Sequence, residues 1–472
     1  MDGKRPLRIC FVAYRGNMHC GGQGIYLWHL ARALAARGHH VDVLVGPPYP
    51  DPMPFAREVI PIENAQFWGK WFSSDRSVFF SDEAPLRIFA PLHFYELSAS
   101  VLGFLPEPFA FSLRALRTFA ARLRRNTHYD VVHDVQCLGY GLLGMRALGV
   151  PVVTTIHHPL SVDRRASFAR AGSFRDAVGT AKFYPISMQR CVARHLDAVL
   201  TSSRASAIQL RRDFGISNPK LHMVSNGIDT ELFHPRAEVA RDPWELLCVG
   251  RASDPNKGLD YAVEALRFLP PPLHLTLIDH DHPQHPLRKR AHEIGVAERV
   301  RISGPLSGEA LARAYCRAAA VVVPSLYEGF GLPAAEAMAC GTPVVATRAG
   351  ALPEVVAAGG AGILVAPRDP EALAKGILQL LEQPEKRNEL AACGPVCAAT
   401  HFSWPRIAER TAEVYREVIA ARGRPESTTT SARWGRRRAS ASNARSTAFA
   451  SGSGIFSSQR VSPGKPQPSD TP

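Results

Sequence analysis

Short apolar runs alternate along the chain with longer amphipathic stretches and with loops that contain glycine. A run of about four to eight apolar residues bounded by turn signals is typical of a buried parallel strand, and its alternation with helical patterns is typical of βαβ units. The alternation restarts in the second half of the chain, so the pattern predicts an α/β fold with two repeated parts. The predicted strands are residues 7–13, 40–45, 131–133, 152–156, 198–202, 245–249, 273–278, 318–323 and 363–365.

One stretch, residues 325–347, combines a strand end, a glycine loop and a helix start. The loop contains Gly329 and Gly331, and residues 333–340 are predicted to form a helix because Pro is tolerated in its first turn and Gly341 stands at its end. Free backbone N–H groups and the positive end of the helix dipole favour an anion there. Glu328 and Glu336 frame this site, and carboxylates are well placed to accept hydrogen bonds from sugar hydroxyls. The stretch therefore predicts a site for a ligand with both phosphate and sugar groups.

Three further features are candidates for the same chemistry. The first predicted strand runs into a glycine loop, residues 14–24, before a helix predicted over residues 25–37, and such a loop lets a ligand approach the backbone. His157 follows the strand at residues 152–156, where open α/β sheets bind ligands, with His158 as its neighbour. Arg251 and Lys257 are close enough in sequence to converge on one anion, Arg through a planar fork and Lys as a compact charge.

The string E-G-F-G-L-P-A-A-E, from Glu328 to Glu336, followed by G-T-P-V-V-A resembles the E-x7-E motif of the retaining glycosyltransferases of family four, also called glycosyl transferases group 1. Order, spacing and flanking residues all agree with that motif. The resemblance implies the GT-B fold, in which two Rossmann-like domains face each other across a cleft. It implies an N-terminal acceptor-side domain over residues 1–235, a nucleotide-sugar-binding domain over 236–403, a helix over 404–421 that crosses back, and a disordered basic tail over 422–472.

The resemblance also implies roles for single residues. His157, Arg251, Lys257 and Glu328 are the expected catalytic residues: the two cations neutralise a diphosphate leaving group, while His157 and Glu328 contact the transferred sugar. Glu336 is expected to bind the ribose, and attack is expected on the same face that the leaving group departs from, without a metal or other cofactor. The expected donor-binding residues are Gly22, Gly304, Gly329, Phe330, Gly331, Leu332 and Glu336, and the acceptor-side residues are Gly21 and Gly22.

The amino-acid composition indicates the compartment and the partners expected for this activity. The 46% apolar and 21% charged content is ordinary for a globular protein, and the nine cysteines show no repeated CxxC spacing, which favours reduced thiols and a cytoplasmic protein. The chain carries a net charge of +14. Half of this excess lies in residues 422–472, where Ser, Thr, Arg and Pro dominate, so a solvated tail is favoured and no nucleic-acid partner is predicted.

Residues 47–123 are rich in Phe, Trp and Pro and end in a cluster of arginines. Such a composition is compatible with contact to an anionic membrane surface at the inner face of the cell membrane, or with a lipid-linked acceptor. Core packing and an exposed helix face explain the same residues. The predicted partners are a nucleotide-sugar donor and a glycan, lipid-linked or small-molecule acceptor.

Alternatives remain open at this stage. Asp279, His280 and Asp281 form a D-x-D pattern, typical of metal-dependent transferases of the GT-A fold, although a polar loop is favoured because a three-residue pattern is common. A nucleotide-sugar epimerase or hydrolase would use the same cleft without a glycosyl acceptor. A non-enzymatic membrane-surface protein would depend on the aromatic stretch and the basic tail.

Overall fold

The computed structural model describes residues 5–18, 22–64, 90–170, 172–358 and 360–423. Some predictions therefore lie outside the described residues. These are the role of Gly21, the aromatic residues between 65 and 89, and the basic tail from residue 424 onwards.

The first sheet is parallel throughout, and seven described strands form it in the order β3-β2-β1-β4-β5-β6-β7. Its inner strands are buried along almost their whole length because helices cover both faces of the sheet. The strands are β1 (Arg8–Ala13), β2 (His40–Val45), β3 (Glu58–Pro61), β4 (Val131–Val135), β5 (Val152–Thr155), β6 (Ala198–Thr201) and β7 (Leu221–Met223). The helices of this part are α1 (Gly22–Ala36), α2 (Pro91–Val101), α3 (Glu107–Arg124), α4 (Gly141–Ala147), α5 (Leu160–Arg170), α6 (Phe174–Phe183), α7 (Ile186–His195) and α8 (Arg204–Phe214).

The second sheet is also parallel, and six described strands form it in the order β10-β9-β8-β11-β12-β13. Its strands are β8 (Asp242–Val249), β9 (His274–Ile278), β10 (Val300–Ser303), β11 (Ala318–Val323), β12 (Val344–Thr347) and β13 (Gly362–Val365). The helices of this part are α9 (Leu259–Ala265), α10 (Pro286–Glu293), α11 (Gly308–Arg317), α12 (Leu332–Ala339), α13 (Leu352–Ala358), α14 (Pro370–Glu382) and α15 (Pro384–His401). The predicted pair of Rossmann-like α/β domains is confirmed, and we call them the first and second domain. The exact boundary at residue 235 stays a prediction.

The last helix, α16 (Trp404–Gly423), packs on the first sheet although it follows the second in sequence. Trp404 and Tyr415 belong to the same hydrophobic core as β1, and the Tyr415 hydroxyl hydrogen-bonds to Nδ1 of His133 on β4. The chain crosses between the domains in two adjacent segments, because the N–H of Ile228 donates to the carbonyl oxygen of Phe402.

The start of α1 differs from the predicted start at residue 25. The helix begins at Gly22, so Gly22 and Gly24 lie in its first turn rather than in a loop. The physical reason is the preceding segment, which packs directly on this turn: a Cβ atom on Gly24 would lie 2.1 Å from the carbonyl oxygen of Asn17. Gly24 therefore allows the backbone of the first turn of α1 to pack closely on the backbone of Asn17.

Candidate functional site

The carboxyl ends of the two sheets face a shared cavity of about 840 Å³. In an open parallel sheet, a ligand site forms where the strand order reverses, which lies between β1 and β4 in the first sheet and between β8 and β11 in the second. The loops and helix starts after these strands supply most of the lining. Of the residues predicted from the sequence, the cavity brings together Gly22, His157, Arg251, Lys257, Glu328, Gly329, Phe330, Gly331, Leu332 and Glu336.

The amino end of α12 opens into this cavity. Gly331 precedes the helix with φ +100°, a backbone conformation that side-chain-bearing residues rarely adopt, and this turn directs the first helical residues towards the cavity. The first backbone N–H groups of any helix lack partners within the helix. Together with the helix dipole they make this end of the cavity favourable for an anion.

Lys257 and Glu328 form an ion pair at the cavity wall. Lys257 Nζ lies 2.9 Å from Glu328 Oε1, and the Ser325 hydroxyl donates to the same oxygen at 2.8 Å. Burial alone lowers the pKa of Lys257, but the charge and the hydrogen bond of Glu328 outweigh it, and the net shift is upward. Lys257 is therefore held in its charged form beside the anion-favouring helix end.

Arg251 follows β8 and is exposed at the cavity. Its guanidinium group makes no hydrogen bond or ion pair with any residue that the structure describes. Its five N–H donors remain available to a ligand. The cavity thus holds one paired and one unpaired cation close to the amino end of α12.

Glu336 lies in the second turn of α12 and accepts a hydrogen bond of 2.8 Å from the Tyr315 hydroxyl. Burial raises the pKa of this carboxyl from its ordinary value of 4.5 to about 7, although Tyr315 and the charge of Lys257 act in the opposite direction. A carboxyl with this pKa sits near its midpoint of ionisation at neutral pH. It gains from any ligand hydroxyl that donates to its charged form.

His157 lies at the first-domain side of the cavity. Its Nδ1 atom is 3.3 Å from Oδ1 of Asn226, which only accepts, so Nδ1 carries the ring proton. Its Nε2 atom is buried and has no partner among the described residues. Burial and the neighbouring His158 lower the pKa of His157 to about 4. The ring is therefore neutral at pH 7 and presents a hydrogen-bond acceptor.

Gln136 was not predicted as a site residue, yet its amide holds the His157 segment in place. Its Oε1 accepts from the His157 N–H at 2.9 Å, and its Nε2 donates to the His158 carbonyl oxygen at 3.0 Å. The turn that carries Gln136 is fixed in turn by buried Asp134, whose carboxylate accepts from two backbone N–H groups and from the Thr154 hydroxyl. The available sequence signal was its position directly after the buried strand β4.

His158 donates from Nε2 to Asp163 at 2.8 Å. Burial lowers the pKa of His158, but the hydrogen bond and the charge of Asp163 raise it by more than that, so the net shift is upward. Arg165 pairs with Asp213 at 2.8 Å instead of entering the cavity.

The Asp279 loop is held by hydrogen bonds. Asp279 accepts from the N–H groups of Ala252 and His280, each at 2.7 Å, and lies 3.1 Å from Nε2 of His285. Asp281 pairs with Arg288 instead. Within the described parts of the chain no cluster of three His, Cys, Asp or Glu side chains is arranged to hold a metal ion. The two carboxylates of the D-x-D pattern therefore bind different partners. The hydrogen bond from the Ala252 N–H to Asp279 connects this loop to the Arg251 segment.

The remaining predicted glycines differ in position. Gly22 lines the cavity, and a Cβ atom there would lie 3.9 Å from Leu332 of the opposite domain. Gly304 does not line it, although the next two residues, Pro305 and Leu306, do. The donor-binding role assigned to Gly304 stays a prediction.

The aromatic and basic stretch is described only from residue 90 onwards. Phe94 and Phe104 are exposed, whereas Phe111 is fully buried. Two arginines of the basic cluster form ion pairs, Arg114 with Glu96 and Arg122 with Glu58. No helix in the described ranges has the length and apolar character needed to span a membrane. Membrane contact stays a prediction.

Two family models match this chain. Residues 20–232 match the model described as Glycosyltransferase Family 4, and residues 229–395 match Glycosyl transferases group 1. The chain is 38% identical over 417 residues to the MMP α-(1→4)-mannosyltransferase of Mycolicibacterium hassiacum, covering 88% of this chain and 99% of that protein. It is 34% identical over 346 residues to a D-inositol 3-phosphate glycosyltransferase of Catenulispora acidiphila, covering 66% of this chain and 78% of that protein.

Solved structures resemble the fold closely. The sucrose-phosphate synthase of Thermosynechococcus elongatus superposes with a TM-score of 0.64 and 25% identity, covering 88% of this chain and all of that one. HepE of Anabaena, solved in complex with UDP and glucose, superposes with a TM-score of 0.62 and 20% identity, covering 87% of this chain and all of that one. These likenesses confirm the predicted two-domain GT-B fold.

Proposed function

Because the chain belongs to the group 1 and family 4 glycosyltransferases and acts as a hexosyltransferase, we propose that it moves a hexosyl group from a nucleoside diphosphate sugar to a hydroxyl, with retention at the anomeric carbon. One observation carries the proposal. Arg251, Lys257 and the amino end of α12 open into one cavity, which gives a diphosphate two cations and a row of backbone N–H donors.

In this proposal the site accelerates the reaction by stabilising the negative charge that develops on the diphosphate. When the bond between the anomeric carbon and the phosphate oxygen breaks, negative charge grows on that oxygen. Lys257 would stabilise it without rearrangement, because Glu328, itself held by the Ser325 hydroxyl, already fixes the Lys257 ammonium group. Arg251 would add its charge from the cavity surface. Since these protein groups supply the positive charge, we expect the reaction to proceed in the presence of excess EDTA.

Sugar recognition falls to the groups around the diphosphate. Glu328 is positioned for hydroxyls of the transferred sugar, and Glu336 for those of the ribose, since each carboxylate reaches the cavity close to α12. His157 faces them from the first domain with Nε2 as an acceptor. Each of these groups accepts hydrogen bonds, as recognition of sugar hydroxyls requires.

Retention is proposed to occur without a covalent intermediate. A covalent route requires a carboxylate on the face of the sugar opposite the leaving group. Among the described residues, the first-domain lining consists of Gly22, Gln23, Gln136, His157, His158 and Asn226, none of which is a carboxylate. The acceptor oxygen would instead attack on the face that the diphosphate leaves, and its proton would pass to the departing phosphate oxygen.

The relatives narrow the substrates that we propose. The mannosyltransferase relative is similar over nearly its whole length, so we propose mannose as the transferred sugar and a mannoside with a free 4-hydroxyl as the acceptor. D-inositol 3-phosphate is the second acceptor to test, because several relatives are named for it. Both proposed acceptors carry hydroxyl groups that can act as the nucleophile.

Transfer from UDP-, GDP- and ADP-mannose to a methyl α-mannoside oligomer tests this proposal, with the matching glucose donors as controls and EDTA present. We expect a product with one donor base, an α linkage by NMR, and at least a tenfold loss of rate in Glu328→Gln. A β linkage would contradict retention. Transfer of glucose in preference to mannose would contradict the proposed donor.

A further inference from the structure

Two cysteines meet at the far ends of the helices that carry the donor-side groups. Cys316 lies in the last turn of α11, and Cys340 lies directly after α12. Cys316 Sγ is 3.8 Å from the carbonyl oxygen of Cys340 and donates to the carbonyl oxygen of His234 at 3.4 Å, while Cys340 Sγ is 3.8 Å from the carbonyl oxygen of Ala312. All the cysteines that the structure describes are free thiols, so this pair is reduced.

The pair lies at the wall of a separate cavity of about 530 Å³, lined also by Arg236, Arg241 and Pro395. Cys316 and Cys340 are 4% and 1% exposed, so this cavity is the route by which a small reagent would reach them. The Arg236 Nε atom is buried there without a partner in the described part of the chain. Arg236 pairs with Glu309 at 2.9 Å, whereas Arg241 donates to the carbonyl oxygen of Gly341 and forms no ion pair with any described residue. Arg241 therefore places the less compensated positive charge beside the thiols.

These surroundings favour the thiolate form of Cys316. The neighbouring Cys340 side chain lowers the pKa of the Cys316 thiol, and the backbone and charge of Arg236 and the charge of Arg241 lower it further, against the effect of burial. The neighbouring Cys316 side chain and burial raise the pKa of Cys340. A thiolate in an electropositive, reachable pocket beside a second thiol is the arrangement typical of reversible oxidation.

We propose that Cys316 and Cys340 form a redox-sensitive modification site that a peroxide converts to an intramolecular disulfide. The Cys316 thiolate attacks one oxygen of hydrogen peroxide, an S–O bond forms, the O–O bond breaks, and the departing hydroxide takes a proton to leave as water. Cys340 then attacks the Cys316 sulfur, an S–S bond replaces the S–O bond, and a second water leaves. The net change is two thiols and one peroxide to one disulfide and two waters.

The disulfide would join the carboxyl ends of α11 and α12. Tyr315, next to Cys316, donates to Glu336 of α12 at 2.8 Å, so the two helices are already coupled at the donor cavity. A new covalent bond one turn away would shift this hydrogen bond. We expect the oxidised protein to bind nucleotide at least threefold more weakly, a consequence that depends on the proposed function.

Peptide mapping of the reduced protein after treatment with hydrogen peroxide tests the site without any variant. We expect a peptide pair linked through Cys316 and Cys340, reversed by dithiothreitol, while buried Cys248, which does not line this cavity, stays reduced. In Cys340→Ser, dimedone should trap a sulfenic acid on Cys316. Oxidation confined to exposed Cys393, or no linked peptide, would overturn the proposal.

Nucleotide affinity of the oxidised and re-reduced protein is the second readout. A linked peptide without any change in affinity would overturn the coupling to the donor cavity. The reduced protein serves as the reference for the function itself: if it binds no nucleotide, the proposed function fails, while the mapping result for the cysteines still stands.

Discussion

At the scale of single residues, the site places ionisable groups where folding alone would not favour them. Glu336 is the clearest case, because burial brings the pKa of its carboxyl to about 7 and its charge faces a cavity instead of bulk water. Such a carboxyl opposes stability whenever it is ionised. A ligand that donates hydrogen bonds to the charged form of Glu336 would offset this cost.

Glu336→Gln should stabilise the protein at pH 8 by about 1–3 kcal/mol. The pKa of Glu336 is raised on folding, so its favourable contribution is complete below the unfolded value near 4.5 and is lost as pH rises through about 7. Gln keeps an acceptor for Tyr315 without the charge. Urea unfolding between pH 5 and pH 8 checks this: the gain should shrink towards pH 5, and a gain independent of pH would contradict it.

Gln136→Leu should lower kcat about 10- to 100-fold with little change in the donor KM. The substitution removes both hydrogen bonds that fix the His157 segment but leaves the cations and α12 untouched. Gln209→Leu, which loses a hydrogen bond to Asp213 outside the donor cavity, is the matched control. A rise in KM alone, or equal effects in the control, would argue against a positioning role.

Glu336 and Gln136 also show which parts of the site could be predicted from the sequence. Glu336 was predicted because its spacing from Glu328 and its place on a helix are local features. Gln136 was missed because its role depends on two parallel strands lying side by side and on a backbone φ of +52°, neither of which a local pattern reveals. The roles of His157, Arg251, Lys257 and Glu328 in catalysis remain predictions until activity is measured.

At the scale of elements, backbone contacts set the position of the Glu328 loop. Gly350, in the turn before α13, has φ +55°, and a Cβ atom there would lie 2.2 Å from the carbonyl oxygen of Glu328. The turn therefore packs directly on the backbone that carries a predicted catalytic residue, and a side chain at position 350 does not fit there.

Gly350→Ala should weaken nucleotide binding at least tenfold, because the added methyl group displaces the Glu328 backbone. Gly360→Ala is the matched control, since Gly360 has φ +54° and open space around the added atom. Both substitutions carry the left-handed backbone cost of about 1–2 kcal/mol. Calorimetric titration of both variants separates the effects, and similar affinities would contradict this account of the loop.

At the scale of the whole molecule, the two domains contact each other beside the cavity. The Glu354 carboxylate at the start of α13 accepts from the N–H groups of Arg204 and Ala205, at the amino end of α8 in the other domain, each at 2.8 Å. The carbonyl oxygen of Gly329 accepts from the hydroxyls of Ser202 and Ser203. The Glu354 contact caps the amino end of α8 and joins the two domains beside the cavity.

Glu354→Ala should open the cleft in the absence of ligand, because it removes a charged cap that joins the domains. Small-angle X-ray scattering should give a larger radius of gyration than for the unchanged protein, and the difference should diminish when nucleotide binds. Glu371→Ala, an equal change of charge in the first turn of α14, is the control. An unchanged radius would show that other contacts suffice for closure.

The measurement that tests the central claim most directly is a thermal-shift panel of UDP, GDP, ADP and their common sugars. A ligand that binds only the folded state raises the melting temperature by mass action. We expect a shift with one nucleotide that is lost in Arg251→Ala, Lys257→Ala and kept in Lys289→Ala, Lys375→Ala, which removes two exposed cations from the same domain. A shift that survives in the first double variant, or no shift with any nucleotide, would contradict the assigned diphosphate site.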